Sequence, residues 1–492
     1  MHLWYLVLLF PLMVHPARAE IKDIRLSHDA TPTEQPSPTR DDKNKAKQEG
    51  RQYDGIDHLD FEELFGESDN EDSSPDVVDE IDFEEALIIN EQNLKDPTSR
   101  RAHLFARFRG MSRIQRLAMV NANFAFDLYR SVCSSLRNDE NVLLSPLGIS
   151  SMMGLVALGA KGETHRQIFE VMGFQDLVNA SSNYNSTTVH YLFRRLIRRL
   201  FHHDFGFVLK TASGAFVQQG WPMTPAFKVN AVHYYVADVH TEDFTDPDTS
   251  KRISRWVNRV SKGRLQDAIQ RLDPHTILLL LNCVYFKGQW EMQFPKKNTA
   301  LQIFWLNKKS TIEVPMMQVK GAFPATTDNR LACEVVQLPF HGDVSMFIAV
   351  PHELSTGLAD LEKRLSSTVL ERWLKEMSNI SRQVVIPKFH VHKKYNLEKH
   401  LHELGIKDLF EQPANLLGIS SNPELRVDTI LHQGSITVDE EGSAAAALTS
   451  VGFTPLTTQE RFLADRPFLF AIYDHPTMSL LFVGRVTNPL KP

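Results

Sequence analysis

The stretch that decides the fold lies near the C-terminus and reads VDEEGSAAAALTSVGFTPLTTQERFLADRPFLFAIYDHPTMSLLFVGRVTNP (residues 438–489). After a strand-like SITV it continues with small residues. Alanine has the highest helix propensity, so this run is compatible with a helix. Small residues also let a strand enter between two existing strands, with Ser443, Ala445 and Ala447 facing inward. Both structures remain open for the run Glu440, Glu441, Gly442, Ser443, Ala444, Ala445, Ala446 and Ala447.

The globular part of the chain extends outward from this stretch to about residue 114. Within it, 124–132 and 149–158 are predicted to be buried helices, and 346–350, 384–389, 436–438 and 480–486 buried strands. His390 and His392 are expected on one face of a strand. No G-x-S-x-G elbow, P-loop, G-x-G-x-x-G or H-E-x-x-H motif is present, so the common catalytic classes find no support. Residues 114–492 are therefore predicted to form one large mixed α/β unit.

Residues 20–113 have a different composition, rich in Asp, Glu, Ser, Pro and Lys, and are predicted to be a disordered arm. Between Asp54 and Glu85 the arm has fifteen acidic residues and no Lys or Arg. Subtracting these charges from the formal net charge of −6 leaves about +9 on the remainder, with His neutral. The near-neutral total thus conceals an acidic arm joined to a basic body.

The arm contains a short repeat, in which IDHLDFEELF (56–65) matches VDEIDFEEAL (78–87) at an offset of 22 residues. One interpretation is a solvating spacer. The other is a peptide that docks on a basic, partly apolar groove of a partner, where aromatic rings anchor and carboxylates steer. The candidate docking residues are Asp57, Asp60, Phe61, Glu62, Glu63, Asp79, Asp82, Phe83, Glu84 and Glu85.

A second charged element, LFRRLIRRLFHHDF (192–205), repeats apolar and basic pairs every four residues. Such spacing predicts an amphipathic helix with an apolar stripe opposite a basic one. The ordinary interpretation is a solvated outer face. Basic residues without interleaved acids instead indicate a polyanion site, formed by Arg194, Arg195, Arg198, Arg199, His202 and His203.

The localisation of the protein is predicted from several weaker signals. Residues 1–19 have an apolar run followed by Ala17-Arg18-Ala19, the pattern of a cleaved signal peptide, and no later run is long enough to span a bilayer. Three cysteines do not make a disulfide framework, and no cluster has the spacing of metal ligands. We expect a secreted glycoprotein with sequons at Asn179, Asn185 and Asn379.

Several ordered motifs of the globular part resemble one family, the serpins. They are NVLLSPLGISSMMGLVALGAKGETHRQI (141–168), NCVYFKGQWEMQFP (282–295), LPFHGDVSMFIAVP (338–351), IPKF (386–389), the EEG of 440–442, DRPFLF (465–470) and FVGRVTNP (482–489). The resemblance implies a fold of three β-sheets surrounded by eight or nine helices, with an exposed reactive-centre loop. It also implies a protease inhibitor and not an enzyme.

The family's mechanism, carried over by resemblance, is a conformational trap. A serine protease cleaves the loop, which then inserts into the large sheet and distorts the protease while the acyl bond is intact. Small, uncharged hinge residues from Ser443 to Ala447 would permit insertion. In inhibitory serpins the residue before the scissile bond lies fourteen positions after the hinge glycine, which places the reactive bond at Leu456-Thr457. Leucine suits the apolar pocket of chymotrypsin-like proteases.

The leucine, the doubled acidic arm and the arginine-striped helix together resemble the glycosaminoglycan-activated thrombin inhibitors among the serpins. That resemblance implies thrombin as the target, heparin or dermatan sulfate as the activating polysaccharide, and docking of the arm on the thrombin exosite. It implies a monomer in plasma, with no prosthetic group, metal, nucleic acid or membrane span. The tyrosines of the relatives' acidic repeats are replaced here by His58 and Glu80. The alternatives are a non-inhibitory, matrix-binding serpin and an inhibitor mainly of chymotrypsin-like proteases.

Overall fold

The fold is taken from a computed structural model of the chain. It describes residues 107–108, 110–177, 186–202, 207–265, 268–269, 272–412, 414–440 and 460–492, with side chains in the fourth helix described as far as residue 200. The first long helix begins after Ser112, whose hydroxyl accepts from the backbone of Gln115 while the Gln115 side chain accepts from the backbone of Ser112. This capping box satisfies amides that a helix N-terminus otherwise leaves without partners.

Nine α-helices occur within the described residues. They are α1 (Arg113–Ser135), α2 (Pro146–Ala157), α3 (Gly162–Val171), α4 (Ser186–His202), α5 (Pro225–Tyr235), α6 (Thr249–Val260), α7 (Gly357–Arg364), α8 (Ser367–Glu376) and α9 (Glu398–Leu404).

The strands alternate with these helices along the chain. They are β1 (Val142–Leu144), β2 (Phe207–Gln218), β3 (Asp238–Glu242), β4 (Leu278–Gly288), β5 (Ala300–Asn307), β6 (Ser310–Asp328), β7 (Cys333–Phe340), β8 (Val344–Pro351), β9 (Ser378–Pro387), β10 (Phe389–Asn396), β11 (Thr429–Val438), β12 (Glu460–Leu463), β13 (Phe468–Asp474) and β14 (Ser479–Val486).

Five strands form one sheet in the order β10-β11-β4-β2-β3. Its centre is the parallel pair β4 and β11, in register from Leu279 opposite Thr429 to Phe286 opposite Ile436. All but one residue of β4 are buried, as expected for a central strand covered on both faces. The other neighbour of β11 is β10, which runs antiparallel to it.

The remaining nine strands are connected through β6. Residues 310–316 of β6 pair with β5, residues 316–325 with β9, and residues 325–328 with β7. This long strand therefore joins a sheet formed by β5, β6, β9 and β12 to one formed by β7, β8, β13, β14 and β1. By hydrogen bonding these two parts are one nine-stranded sheet, and counting them separately gives, with the five-stranded sheet, the three sheets that the resemblance implies. The mixed fold and the predicted number of helices are confirmed over the described residues.

Strand β2 separates two layers of apolar packing. Its residues Leu209, Ala215 and Val217 face the main core, which also contains the buried side chains of α4. Its residues Ala212 and Phe216 face a smaller cluster with the buried side chains of α6. Because alternate strand residues point to opposite faces, α4 and α6 lie on opposite sides of the five-stranded sheet.

Other features agree with or refine the sequence-based expectations. The rings of His390 and His392 stack with centroids 6.4 Å apart on β10, as predicted. The three cysteines are free thiols, two of them buried. None of the described helices is both long and apolar enough to cross a bilayer. Packing begins before the expected boundary at residue 114, since Phe108 is only 1% exposed and Arg107 contacts Glu371 at 2.5 Å.

Candidate functional site

The candidate site is the seam between β4 and β11, together with the chain that leaves it. Strand β11 ends at Val438, and Glu440 is the last residue of the small-residue run that the structure describes. The chain is described again from Glu460, where β12 begins and pairs in parallel with β9. Residues 441–459 therefore connect a central strand of one sheet to an edge strand of another.

The carboxylate of Glu440 is held at the end of the seam where β11 stops. Lys388 Nζ lies 2.7 Å from one carboxylate oxygen, and the hydroxyl of Thr299 donates to the other at 2.9 Å. Burial alone would raise the pKa of Glu440, but the ammonium and the hydroxyl bring the pKa below its ordinary value. The backbone of Glu440 is also fixed, because its carbonyl accepts from the amide of Phe294 at 3.3 Å.

The residue before it is fixed in the same way. Trp290 Nε1 donates to the carbonyl of Asp439 at 2.8 Å, and Lys287 Nζ lies 2.8 Å from the Asp439 carboxylate. The indole of Trp290 stacks on Phe340 with ring centroids 4.1 Å apart. Both backbone and side-chain contacts thus define where the hinge begins.

A buried hydrogen-bond network crosses the middle of the seam. His432 on β11 lies opposite Asn282 on β4. The amide of Ser145 can only donate, so Nε2 of His432 accepts from it at 3.0 Å and Nδ1 donates to Asn282 Oδ1 at 3.0 Å. Asn282 in turn donates to Ser213 Oγ on β2 at 2.9 Å. The network joins three strands to the N-terminus of α2.

The protonation state of this network follows from its burial. Burial lowers the pKa of His432 to about 3, so the imidazole is neutral at physiological pH. A neutral ring can accept on one nitrogen and donate on the other, which the two contacts require. Protonation would place a second donor opposite the Ser145 amide and break the network.

Helix α4 has the amphipathic character that its sequence predicts. Leu192, Phe193, Leu196, Ile197 and Leu200 are all buried in the main core. The arginines lie on the other side, although their environments differ. Arg199 is exposed, whereas Arg194, Arg195 and Arg198 are half-buried.

Arg194 and Arg199 act on groups in neighbouring elements. His233 of α5 has a lowered pKa, first because of burial and then because of the positive charge of Arg194. Burial raises the pKa of Asp474, at the end of β13. Hydrogen bonds from Thr477 and the positive charge of Arg199 oppose that rise without cancelling it. The charges at both ends of the basic stripe therefore act on ionisable groups of the protein, and the stripe is not displayed uniformly to solvent.

Most of the other predicted site residues lie outside the described part of the chain. Asn379 is exposed at the start of β9, so a sequon there is accessible. His202 is the last residue of α4, but its side chain is not described. Outside the described residues lie Asn179, Asn185, His203, Glu441–Ala447, Leu456, Thr457 and all ten arm residues from Asp57 to Glu85.

Sequence reasoning missed the side chains that anchor the hinge. Lys388 lies within the IPKF motif and Trp290 within NCVYFKGQWEMQFP, so both belong to recognised motifs, but the sequence alone assigned neither of them a role. His432 carried no signal at all, because its partners Ser145 and Asn282 are 287 and 150 residues away in sequence.

Comparison with known proteins decides the family of this chain. A family model described as "Serpin (serine protease inhibitor)" matches residues 119–489, about three quarters of the chain. The chain belongs to the serpin family.

This serpin is similar to heparin cofactor 2 of three mammals. It is 46% identical to the protein of Oryctolagus cuniculus over 384 residues, which cover 78% of this chain and 80% of the relative. Identity to the Homo sapiens protein is 45% over 382 residues, covering 78% and 76% of the two chains. Identity to the Rattus norvegicus protein is 42% over 435 residues, covering 88% of each.

Solved structures show the same fold. The mouse protein-Z dependent protease inhibitor matches with a TM-score of 0.70 and 28% identity, covering 76% of this chain and 98% of that chain. Human thyroxine-binding globulin in complex with its ligand matches with a TM-score of 0.71 and 26% identity, covering 77% and 100%. On the strength of its family and its relatives, this serpin is a protease inhibitor and not an enzyme.

Proposed function

We propose that this serpin is a secreted inhibitor of thrombin that uses Leu456-Thr457 as its reactive bond and is accelerated by heparin or dermatan sulfate. The observation that carries the inhibitory part is the closed parallel seam between β4 and β11, with the hinge emerging from the end of β11. Similarity to heparin cofactor 2 supports the choice of target and polysaccharide.

Insertion has a clear physical gain at this seam. A loop that turns back from the end of β11 runs antiparallel to β11, and hence antiparallel to β4. Its insertion replaces one parallel ladder with two antiparallel ladders, which are somewhat more stable per residue. The hinge residues Ser443 to Ala447 are small enough to enter the packed layers on either side of the sheet.

The contacts around the hinge would keep insertion from starting early. The Glu440 carboxylate, with Lys388 and Thr299, holds the first hinge residue at the top of the closed seam. The His432 network holds the strands together lower down. Cleavage frees the far end of the loop, so the stored free energy of the native sheet can be released only after the protease has reacted.

Leucine at the reactive bond is a poor match for a protease that prefers arginine, so a second contact is needed. The acidic repeats at 56–65 and 78–87 can supply it by docking on a basic exosite of the protease, which raises the effective concentration at the active site. The resemblance implies tyrosines at the positions of His58 and Glu80, so docking here would depend on the carboxylates and on Phe61 and Phe83.

Helix α4 is the proposed polysaccharide site. Its arginines are supported by a fully buried apolar face, so they are held on a rigid element. The acidic arm would pair with the same charges at rest, and a sulfated chain would compete for the arginines and release the arm. The polysaccharide and the arm would thus act through one charged surface.

The test is incubation of the full chain with thrombin, with and without dermatan sulfate, followed by SDS electrophoresis. A complex that survives SDS and forms faster with the polysaccharide is the expected result. Cleavage without a complex would identify a substrate or non-inhibitory serpin, and no reaction would exclude thrombin as a target. Rapid complex formation with chymotrypsin alone, without polysaccharide, would favour a chymotrypsin-like target.

A further inference from the structure

A second basic surface lies on α6 and the turn that follows it. Between residues 249 and 265 the chain has six Lys or Arg residues and no Asp or Glu. Four of these basic side chains are exposed towards the C-terminal end of the segment. They are Arg255, Arg259, Lys262 and Arg264, and we call them the α6 basic surface.

The absence of acids sets α6 apart from most other surface helices. In α3, Arg166 pairs with Glu163 and Glu170; in α9, Lys399 lies 3.8 Å from Glu403. Such i,i+3 and i,i+4 pairs are the usual way in which a solvated helix balances its charge. Among the described helices with more than one Lys or Arg, α4 and α6 are the two that contain no acidic residue.

The basic residues at the start of α6 are not included, because they form ion pairs with acidic residues that lie just before the helix. Arg252 lies 2.6 Å from Asp246 and 3.0 Å from Glu242, and Lys251 lies 2.8 Å from Asp248. These contacts neutralise the N-terminal end of the helix. The other four basic residues lie towards the C-terminal end of the segment and form the α6 basic surface.

The α6 basic surface is held in a fixed orientation. On the opposite side of the helix Ile253, Trp256 and Val257 are buried, and Trp256 Nε1 donates to Asp238 at 2.8 Å. Arg255 and Arg259 are four residues apart on α6, so they share one face of the helix. Lys262 and Arg264 lie in the turn just beyond the end of the helix at Val260.

The turn after the helix is also ordered by hydrogen bonds. The amide of Gly263 donates to the carbonyl of Asn258 at 2.7 Å, and the amide of Leu265 donates to Ser261 Oγ at 3.0 Å. Arg264 lies over the ring of Tyr285 at 5.7 Å, which positions its guanidinium. The backbone that carries these cations is therefore ordered before an anion binds, and the loss of conformational entropy on binding is confined to the side chains.

One short ligand cannot bind α4 and α6 at the same time. The buried residues of α4 belong to the main core and those of α6 to the smaller cluster, on opposite faces of β2. The five-stranded sheet lies between them. A short oligosaccharide on one helix would have to pass around the sheet to reach the other.

We propose that the α6 basic surface is a second binding site for sulfated polysaccharide, separate from α4. The closely spaced sulfate and carboxylate groups of such a chain match a cluster of cations carried on an ordered backbone, and release of counter-ions from both partners drives binding. With two sites, the protein could hold two chains at once, or two segments of one long chain. The inference does not depend on which protease is inhibited.

The experiment is calorimetric titration of the full chain with a heparin hexasaccharide at low salt. Four proteins are compared: the wild type, the α6 variant R255Q/R259Q/K262Q, the α4 variant R194Q/R195Q/R198Q/R199Q, and K363Q/K375Q/K399Q. The last carries the same charge loss as the α6 variant at three exposed lysines on other helices. Thermal unfolding of each protein confirms that it is folded.

Two hexasaccharides per wild-type chain and one per α6 variant are expected, with the lysine control still binding two. The affinity of the α6 variant for a long heparin chain should be about tenfold or more lower than that of the wild type. If the α6 variant binds as many hexasaccharides as the wild type, the α6 site does not exist. If the lysine control loses as much heparin affinity as the α6 variant, the loss is an effect of net charge alone, and the proposal is overturned. An α4 variant that retains both sites would instead contradict the proposed role of α4 and leave α6 standing.

Discussion

At the scale of single residues, the hinge is defined by the contact between Glu440 and Lys388. Glu440 was visible in the sequence as part of the EEG motif, but its partner stands 52 residues earlier and on another element. Only the fold brings the start of β10 beside the end of β11. The contact therefore could not be predicted from one sequence, although each residue lies in a recognisable motif.

We expect the pair Glu440 and Lys388 to contribute about 1–2 kcal/mol of coupling to the stability of the native protein. The carboxylate is largely buried whereas the lysine is about one third exposed, so the value should exceed that of a surface pair. Urea unfolding of E440Q, K388M and the double variant measures it. Additive effects of the two single substitutions would show that the contact contributes nothing.

His432 gives the seam a defined response to acid. Its folded pKa of about 3 lies below the value near 6.5 of a free imidazole, so the unfolded chain binds the proton first. Stability is then complete above pH 6.5 and is lost as the pH falls towards 3. From pH 6.5 to pH 5 this one residue should cost about 2 kcal/mol.

The measurement is the free energy of unfolding in urea at pH 7.0, 6.0 and 5.0 for the wild type and for H432Q. The variant cannot take up a proton at this position, so its free energy of unfolding should fall less steeply as the pH is lowered. The difference between the two slopes corresponds to at most one bound proton. Identical slopes for the two proteins would contradict a buried neutral His432.

At the scale of elements, α4 was the part of the site that could best be predicted. The four-residue repeat of apolar pairs predicts which side chains are buried, and Leu192, Leu196 and Leu200 lie in the core. The environments of the arginines could not be predicted in the same way. The charge of Arg194 acts on His233 of α5 because of how the two helices pack, and nothing within the sequence of α4 indicates that proximity.

Substitutions on the two faces of α4 should separate stability from polysaccharide binding. L196A removes a fully buried side chain and should cost about 2–5 kcal/mol of stability. R199Q removes an exposed charge and should lower the salt concentration for elution from heparin with little change in stability. Unfolding and heparin chromatography measure the two effects. A stable L196A, or an R199Q that elutes with the wild type, would contradict this division.

At the scale of the whole molecule, the five-stranded sheet is built from segments far apart in the chain. Strands β4 and β11 begin about 150 residues apart in sequence and lie side by side. Hydrophobic runs predicted the buried strands, but neither periodicity nor composition gives the order in which they pair. The family resemblance implied three sheets and an exposed loop, and the order of the strands within each sheet came from the structure.

Charge is also organised at the scale of the whole molecule. The acidic stretch within residues 54–85 and the basic body are both predicted from composition, and they make the proposed activation sensitive to ionic strength. A protein with a near-neutral total would otherwise show little dependence on salt. The arm and α4 would act together only if the polysaccharide changes where the arm lies.

In the proposed activation, the polysaccharide accelerates inhibition by freeing the acidic arm for a second contact with thrombin. It is tested most directly by the second-order rate of thrombin inhibition with and without dermatan sulfate, for the full chain and after deletion of residues 54–87. We expect a large acceleration for the full chain and little acceleration after the deletion, with similar rates for the two proteins in the absence of polysaccharide. An accelerated rate that the deletion leaves unchanged would contradict it.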